Sequence, residues 1–376
     1  MHRIMTAVVS LALLPAFAGA QDDKPYRIIA ELDRPPGNIT SVSTGTRSDL
    51  YISLHQMFGV EQRLGRMQPV LRDGAFDSVI EPFPTADWAD GPEGNHIGFD
   101  ALLGLHGTTD RLYLLDNANR SDAAIPKLVI FRGAQHERRM TWPNILDRVI
   151  YMPDPYGAGM EDVGPSFHND LAVHEPSGHV FTADFGTPSI GVVNLETGLT
   201  RYRLVGHELV QPEEDASMVI NGREVTRNGQ PARIGINPIA MGPQQKWVYF
   251  GAMHGTSVYR VKATDLIDFE LTDEQLAKRV DRYGDKPVSD GIAVDRFGNV
   301  YITDVQAGGI GVTRPDGSYE LMFSDPDVIQ WPDSIARRGN RYVAVVNQLH
   351  LSAPLNGGVN EAEPPYYIIS FQGLDQ

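Results

Sequence analysis

The sequence contains no cysteine among its 376 residues. The chain therefore forms no disulfide bond and has no cysteine–histidine zinc motif. A domain without such cross-links depends on its core for stability, and a hydrophobic content of 41% is ample for one large core. We expect a large domain that is stable without disulfides.

Several catalytic signatures are missing as well. The sequence has no His-Glu-x-x-His motif, no Gly-x-Ser-x-Gly elbow and no glycine-rich phosphate-binding loop. Zinc catalysis and hydrolysis by a serine triad therefore have no support from motifs. Beyond residue 20, no apolar run is long enough to predict a membrane-spanning helix, and no low-complexity tract occurs.

Basic residues are scarce relative to acidic ones. The chain has 32 Lys and Arg against 48 Asp and Glu, a net charge of −16 with neutral histidines. Such a surface repels nucleic acid and anionic membranes, because both are polyanions. We expect a small molecule as the ligand or substrate, with no nucleic-acid partner.

The N-terminal 20 residues have the pattern of a secretory signal peptide. His2 and Arg3 give a positive start, residues 4–17 are apolar, and Ala18-Gly19-Ala20 is a small-residue cleavage site. This predicts a secreted or periplasmic protein with no membrane attachment after cleavage, whose mature domain is residues 21–376. A retained anchor is the alternative.

A repeated pattern organises the rest of the chain. Residues 289–304 have the pattern of a strand of small apolar residues, a tight Asp-Arg-Phe-Gly-Asn turn, and a second strand centred on Tyr301. The same pattern recurs along the chain, and the other first strands begin near Gly37, Asp100, His168, Asn237 and Pro332. Such a repeat determines the fold, because each copy forms one structural unit that packs against its neighbours.

The repeat predicts an all-β fold, a six-bladed β-propeller. Its copies begin roughly 45–70 residues apart, which is the spacing of four-stranded blades with loop insertions. Strand Tyr26–Leu32 is expected to pair with the C-terminal strand Tyr366–Phe371, so that the ring closes and two exposed edges disappear. A pair of β-sandwiches is the alternative.

Three segments are interpreted apart from the repeat. Residues 59–95 and 205–233 are predicted to be insertions on one face of the propeller, and long insertions of this kind are often functional. The second contains Asn221-Gly222, a hairpin turn signal. Thr272 to Gln275 form a capping box that predicts a short helix over residues 273–283.

Polar residues precede the apolar part of most first strands. In a propeller these strands line the axis, so equivalent positions converge around one mouth of the channel. Carboxylates and carboxamides form an all-oxygen environment that suits Ca²⁺ or Mg²⁺, and Ca²⁺ is the cation we expect. The alternative is that these side chains bond local backbone, as they do in many turns. The positions are Gly37, Asp100, Asn169, Asn237, Asp290 and Asp333.

Candidate roles follow from this ring. Asn169, Asn237 and Asp290 are the first choices as metal ligands, and no organic cofactor is expected. Asp290, Asp333 and His168 are the candidate catalytic acids and bases, because a carboxyl or a neutral imidazole exchanges protons in a suitable environment. Asn38, Asp100 and His55 are candidate ligand-binding residues. The aspartates that end the second strands are expected to bond amides of the following turn: Asp116, Asp184 and Asp304.

Several stretches resemble the yellow/major royal jelly protein family. They are Arg34-Pro35-Pro36-Gly37-Asn38-Ile39, Ser53-Leu54-His55-Gln56, Leu112 to Asp116, His168 to Val173 and Ser289 to Ala293. Bacterial members are commonly labelled as related to L-dopachrome tautomerase. The resemblance implies a secreted six-bladed propeller with a small-molecule site in the channel. Insect members range from pigment conversion to amine binding and nutrient storage, and they usually carry cysteines, which this chain lacks.

A second, more distant similarity concerns the metal candidates. Asn169, Asn237 and Asp290 are similar to metal-ligand positions of the gluconolactonase-like propellers, in which a divalent cation polarises a lactone carbonyl. Those enzymes add a glutamate in the first blade, where this sequence has Gly37-Asn38.

Three functions remain open at this point. The first is an enzyme that hydrolyses a lactone or tautomerises a small cyclic or aromatic metabolite, with or without a metal ion. The second is a binding protein that sequesters a small ligand, such as an aromatic amine, in the same channel. The third is a platform for basic protein partners. Metal content and the effect of Asp290→Ala on turnover separate the first from the second.

Overall fold

A computed structural model describes residues 24–44, 47–72, 75–91, 98–118, 125–133, 135–136, 139–140, 143–153 and 165–375. These residues contain six four-stranded antiparallel sheets. The prediction of a six-bladed β-propeller is therefore confirmed. The predicted signal peptide, residues 1–20, lies outside the described residues.

The first half of the chain forms the N-terminal strand and three blades. The N-terminal strand is β1 (Tyr26–Leu32). The first blade contains β2 (Pro36–Thr44), β3 (Arg47–Leu54), β4 (Leu64–Arg72) and β5 (Ala75–Pro82), with a 3₁₀ turn at Gln56–Phe58 and α1 (Ala86–Ala89). The second contains β6 (Leu102–Gly107), β7 (Arg111–Asp116), β8 (Lys127–Arg132) and β11 (Ile145–Tyr151), with a small hairpin of β9 (Gln135–His136) and β10 (Arg139–Met140). The third contains β12 (His168–His174), β13 (His179–Asp184), β14 (Ser189–Asn194) and β15 (Thr200–Arg203), with a 3₁₀ turn at Glu175–Ser177.

The second half begins with two short hairpins and then forms three blades. After a 3₁₀ turn at Glu208–Val210, the hairpins are β16 (Val219–Ile220) with β17 (Arg223–Glu224), and β18 (Thr226–Arg227) with β19 (Gln230–Pro231). The fourth blade contains β20 (Ile236–Met241), β21 (Trp247–Ala252), β22 (Ser257–Lys262) and β23 (Asp281–Asp285), with a 3₁₀ turn at Pro243–Gln245, α2 (Ala263–Leu266) and α3 (Asp273–Ala277). The fifth contains β24 (Ser289–Val294), β25 (Val300–Asp304), β26 (Gly309–Thr313) and β27 (Tyr319–Ser324). The last strands are β28 (Pro332–Arg338), β29 (Arg341–Val346) and β30 (Tyr366–Phe371), with 3₁₀ turns at Leu349–Leu351 and Ala353–Leu355.

The sixth blade joins the two ends of the chain. Strand β1 pairs antiparallel with β30, with Tyr26 opposite Phe371, so the blade order is β1-β30-β29-β28. This is the pairing predicted from the sequence. The inner strand β28 then lies beside β2 of the first blade. The pairing satisfies backbone N–H and C=O groups that would otherwise be unpaired along the edges of both terminal strands.

A β-bulge recurs near the start of each inner strand. The register shifts just after Pro36, Leu102, His168, Ile236, Ser289 and Pro332. A bulge adds an unpaired residue, increases the local twist and redirects the neighbouring side chains. Here the repeated bulge gives the residues that follow these six positions an equivalent place around the channel.

Apolar faces of adjacent blades pack against each other to form the core. One cluster joins the third and fourth blades through Phe181, Phe250 and Leu266, all fully buried. Another joins the fifth and sixth blades through Tyr301, Tyr342 and Phe371. The inner strands are thereby fixed, because each is clamped between two such layers.

The prediction that residues 59–95 form an insertion is wrong for much of that segment. Strands β4 and β5 within it complete the first blade, with Tyr51 opposite Arg66 and Gly65 opposite Pro82. Gly65 and Pro69 suggested a loop. Strand β4 pairs with β3 only over Leu64 to Arg66, so at Pro69 the strand pairs with β5 alone, and a proline is tolerated where one edge of a strand is not paired.

Residues 205–233 do lie outside the blades. They connect β15 to β20 and contain the two short hairpins. Asn221 and Gly222 form the predicted turn, with φ of 51° and 77°. The predicted helix is shorter than residues 273–283: its capping box between Thr272 and Gln275 is present, but α3 ends at Ala277, and β23 follows.

The aspartates that end the second strands bond turn amides, as predicted. Oδ1 of Asp184 accepts from the backbone N–H groups of Gly186 and Thr187. Asp116 Oδ1 accepts from Ala118, and Asp304 Oδ1 from Ala307. No helix in the described part of the chain is long and apolar enough to cross a membrane.

Candidate functional site

A cavity that opens to solvent lies at the end of the channel where the inner strands begin, and its empty space, including the open mouth, is about 530 Å³. Its walls are mostly apolar, and a few polar side chains converge on them, which is the usual composition of a small-molecule site. The apolar walls are Met57, Leu103, Phe167, Phe185, Ile234, Met253, Trp331, Leu349 and Leu355. The polar side chains are Asn38, His55, Asn169, Arg227, Asn237, Asp290 and Asp333.

The residues that follow the six bulge positions all line this cavity. They are Gly37, Leu103, Asn169, Asn237, Asp290 and Asp333. Five of the six predicted positions therefore line the cavity, and four of them have polar side chains. The second blade contributes Leu103 and not Asp100, because the strand begins later than the sequence pattern suggested. Asp100 does not line the cavity; its backbone N–H donates to Asp116 Oδ2 at 2.8 Å.

Three neighbouring ring positions form one run of hydrogen bonds. Nδ2 of Asn169 donates to Oδ1 of Asn237. Nδ2 of Asn237 in turn donates to Oδ1 of Asp290 at 2.5 Å. The other carboxylate oxygen of Asp290 accepts from the indole Nε1 of Trp331 at 2.7 Å. Both oxygens of Asp290 are thus held in place.

Asp333 is held by a second set of contacts. Its Oδ2 accepts from Nδ2 of Asn347 at 2.6 Å and lies 4.0 Å from Nε2 of His55. Nδ1 of His55 accepts from the backbone N–H of Met57 at 3.3 Å. Because Nδ1 is an acceptor, the proton of the neutral ring is on Nε2, which faces Asp333.

Burial shifts the ionisation of all these groups toward neutrality. Desolvation raises the pKa of both Asp290 and Asp333. The nearby charge of Asp290 raises the pKa of Asp333 further. The hydrogen bonds from Trp331 and Asn237 act in the opposite direction on the pKa of Asp290. Burial also lowers the pKa of His55 to about 3, so this ring is neutral at physiological pH. The site thus combines two buried carboxyls whose pKa values are both raised above the ordinary range.

Asn38 forms the floor between this cavity and the rest of the channel. It accepts from Ser334 Oγ at 2.9 Å and donates to Asp170 Oδ1 at 3.3 Å. Asp170 lines a second cavity of about 790 Å³ farther along the axis. Burial raises the pKa of Asp170 to about 7. Asn38 therefore links two chambers through a fixed hydrogen-bond bridge.

His168 lies away from the cavity. It is fully buried, its Nδ1 is 3.1 Å from Thr182 Oγ1, and its ring stacks on Tyr202. Successive strand residues point to opposite faces, so the side chain that precedes Asn169 points into the blade. The geometry therefore does not place His168 with Asp290 and Asp333.

The oxygen donors fit a hard divalent cation. Among the described residues, no three acidic or histidine side chains cluster tightly enough to hold a metal ion. A cation site would therefore depend on the amide oxygens of Asn169 and Asn237 together with the carboxylate of Asp290. These side chains are in contact through N–H···O bonds, so the amides would have to turn their oxygens toward a cation. Amide and carboxylate oxygens are ligands that Ca²⁺ accepts. The donor chemistry fits, and the first blade adds no acid because its ring position is Gly37.

The segment 205–233 covers one side of the cavity. Met218, Ile220 and Val225 pack in one cluster with Trp331 and Leu349. The hairpin of β18 and β19 carries Arg227, which lines the cavity. The insertion is therefore a packed part of the site.

Sequence reasoning missed several residues of the site. Trp331, Asn347 and Arg227 lie on connections between blade strands, outside the repeated pattern that identified the ring. Trp331 also adopts φ of 56°, an uncommon left-handed conformation for a bulky residue.

The fold is similar to that of solved propeller structures of low sequence identity. They include a gluconolactonase from Xanthomonas campestris, with 13% identity, coverage of 93% of this chain and 95% of that chain, and a TM-score of 0.47. The calcium-binding protein regucalcin from Agrobacterium tumefaciens has 12% identity, coverage of 93% and 98%, and a TM-score of 0.45. The PQQ-bound aldose sugar dehydrogenase of Streptomyces coelicolor has 11% identity, coverage of 92% and 97%, and a TM-score of 0.49. Similarity this low carries no information on the chemistry of this chain.

Sequence comparison identifies the family. No curated protein matches the chain. The family model of the major royal jelly proteins matches residues 158–353, which is slightly more than half of the chain. That segment contains Asn169, Asn237, Asp290 and Asp333, and it confirms the resemblance noted from the sequence. The chain belongs to the major royal jelly protein family.

Proposed function

We propose that this protein is an enzyme that acts on a small cyclic or aromatic carbonyl compound in the cavity at the channel mouth. The reaction is tautomerisation or lactone hydrolysis, two reactions that need an acid and a base on either side of a carbonyl-bearing ring.

The pair of buried carboxyls is the observation that carries this proposal. Asp290 and Asp333 are only 5% and 9% exposed, line the same cavity and belong to adjacent blades. Burial raises the pKa of both, and the charge of Asp290 raises that of Asp333 further, which favours a pair with one protonated and one charged carboxyl. A structural role alone would not require two buried acids with raised pKa values in the same cavity.

In tautomerisation, the ionised carboxylate removes a proton from the ring of the substrate. The protonated carboxyl donates its proton to another atom of the same conjugated system, so that the product is an isomer and the pair of carboxyls has exchanged roles. Trp331 and Asn237 hold Asp290, and Asn347 holds Asp333, so both acids are positioned before the substrate arrives.

In lactone hydrolysis, the ionised carboxylate removes a proton from water, and the hydroxide adds to the carbonyl carbon. The bond between that carbon and the ring oxygen then breaks, and the protonated carboxyl gives its proton to the leaving oxygen. A divalent cation such as Ca²⁺, held by Asn169, Asn237 and Asp290, would polarise the carbonyl. Nε2 of the neutral His55 lies 4.0 Å from Oδ2 of Asp333, beyond hydrogen-bond distance, and its N–H dipole faces the carboxyl.

The second candidate is a binding protein without turnover. One observation favours it: two buried carboxyls among aromatic walls would also bind a cationic aromatic amine, which restores their ionised form by pairing with it. Such a protein would retain its ligand unchanged.

We further propose that the protein acts outside the cytoplasm, in the periplasm or the medium, after removal of residues 1–20. Its partners would then be small molecules. The pattern of residues 2–20 and the net charge of −16 support this proposal.

The test is to incubate the mature protein with a panel of lactones and of tautomerisable cyclic ketones and quinones, with and without a chelator, and to identify the products. Ring opening identifies a lactonase, and a product of unchanged mass identifies a tautomerase. If the protein binds an aromatic amine unchanged and forms no product from any compound, the enzyme hypothesis is wrong and the binding hypothesis is supported.

A further inference from the structure

Arg227 brings a positive charge to the cavity from outside the repeated blades. It lies at the end of β18, next to the Asn228-Gly229 turn, where φ is 53° and 74°. The hairpin is fixed because Val225 and Ala232, which flank it, are buried in the cluster that contains Trp331 and Leu355. The guanidinium therefore belongs to a packed cover.

No acid in the described part of the chain neutralises this charge. The contact that positions Arg227 is with an aromatic ring: its guanidinium carbon is 5.4 Å from the ring centroid of Phe185. Phe185 is itself stacked on Phe167, at 4.3 Å between centroids, and both rings line the cavity. Burial lowers the pKa of Arg227, and no carboxylate offsets the effect.

Elsewhere in the same insertion and its surroundings, arginines are paired. Arg223 lies 3.3 Å from Glu361, and Arg203, which is buried, lies 2.9 Å from Asp273. Arg227 is half-buried, and each guanidinium N–H donor that leaves water without meeting an acceptor costs free energy. An arginine that lines a cavity without a carboxylate partner is therefore available for an anion that enters the cavity.

Groups of opposite charge line the cavity from different elements. Arg227 comes from the hairpin of the insertion, whereas Asp290 and Asp333 lie near the start of inner strands. Phe167 and Phe185 are among the aromatic walls of the same cavity. This arrangement orients an elongated ligand with its anionic group toward the cover and its ring beside the carboxyls.

From this geometry we infer that the substrate of the site is a small cyclic or aromatic carboxylate, whose carboxylate binds Arg227. The inference rests on the proposed function only in taking this cavity as the substrate site. It distinguishes the substrate from a neutral lactone and from an aromatic amine, both of which leave Arg227 without a partner.

Three probes of similar shape and different charge test this inference: phenylacetate, phenylacetamide and phenethylamine. Their dissociation constants are measured by calorimetry or ligand-observed NMR on wild type, Arg227→Gln, Arg227→Lys and the control Arg223→Gln. Thermal melting verifies that each variant is folded. Arg223 is a suitable control because it is exposed on the neighbouring hairpin and does not line the cavity.

We expect phenylacetate to bind wild type more tightly than the other two probes. Arg227→Gln should weaken phenylacetate binding roughly tenfold to a hundredfold, the effect of losing one charge-assisted contact. Binding of phenylacetamide should change little. Arg227→Lys should keep part of the preference, because the charge remains, and Arg223→Gln should behave like wild type.

The inference is overturned if phenethylamine binds best, if Arg227→Gln binds phenylacetate as well as wild type does, or if phenylacetate does not bind to wild type in the millimolar range. None of these dissociation constants depends on whether the protein is catalytically active. If phenylacetate binding requires Arg227 but the protein converts no panel compound, the inference is supported and the proposed enzymatic function is contradicted.

Discussion

The indole Nε1 of Trp331 donates a 2.7 Å hydrogen bond to Oδ2 of Asp290. Trp331 precedes the inner strand of the sixth blade, and Asp290 lies on the inner strand of the fifth. The contact thus links two adjacent blades at the cavity. It also keeps a tryptophan in a left-handed conformation with φ of 56°, a backbone strain that the surrounding packing must stabilise.

Trp331→Phe should shift the pH dependence of turnover. The hydrogen bond stabilises the ionised form of Asp290 and so lowers its pKa. Without the donor, the pKa of Asp290 rises, and the acidic limb of the profile of kcat against pH moves to higher pH. Trp247→Phe, on the outer face of the fourth blade, is the control and should leave the limb in place. An unmoved limb in Trp331→Phe would show that Asp290 is not the titrating group.

His55→Asn should reduce the loss of stability in acid. Burial lowers the pKa of His55 to about 3, below the ordinary value of 6.5, so the unfolded chain binds a proton that the folded chain does not. This contribution is complete above pH 6.5 and is lost as the pH falls toward 3, at about 1.4 kcal/mol per pH unit. Asparagine also caps a helical turn, so the variant should fold.

The measurement for His55 is the free energy of unfolding in urea at several pH values between 7 and 5. His207→Asn is the matched control, because His207 caps the 3₁₀ turn at Glu208–Val210 through the same Nδ1 contact, outside the cavity. A pH slope in His55→Asn equal to that of wild type would contradict the assignment of a buried neutral imidazole.

Gly291→Ala should destabilise the protein and lower turnover together. A Cβ at Gly291 would overlap the carbonyl oxygen of Asp333 and lie 3.0 Å from the Cα of Ser334. The two inner strands must then separate, at a cost of roughly 1–3 kcal/mol, and the two carboxyls separate with them. Denaturant unfolding and turnover measure these effects. Gly357→Ala, in an open turn, should lose stability through backbone strain alone and keep its turnover.

Calcium should raise the melting temperature if the proposed cation site is correct. A ligand that binds only the folded state at a hundredfold excess over its Kd adds about 2.7 kcal/mol of stability. Asn237→Leu removes one donor oxygen at similar volume and should abolish the shift, whereas the exposed Asp281→Asn should retain it. If the melting temperature changes with neither calcium nor a chelator, the proposed cation site is wrong.

The repeat made the fold predictable from the sequence, whereas the site was predictable only in part. Asn169, Asn237, Asp290 and Asp333 could be identified because each begins a copy of the same strand. Asp100 could not be distinguished from Leu103 in this way, since the position of the bulge, and not the pattern of polar residues, determines which side chain faces the channel.

The remaining errors have a similar origin. His168 and Asn169 are adjacent, and the phase of the strand decides which of them points into the cavity. Trp331, Asn347 and Arg227 come from connections that have no counterpart in the other blades. Their approach to the ring depends on long-range packing, which a local pattern does not contain.

The most direct test of the account is kcat/KM of Asp290→Asn and Asp333→Asn for the panel compound that wild type converts. Asparagine keeps the volume of each side chain but exchanges no proton. We expect a decrease of about a hundredfold or more in each variant, which is the contribution of a general acid or base, while the exposed Asp316→Asn retains wild-type activity. Wild-type kcat/KM in both cavity variants would contradict the claim that these two carboxyls carry the reaction.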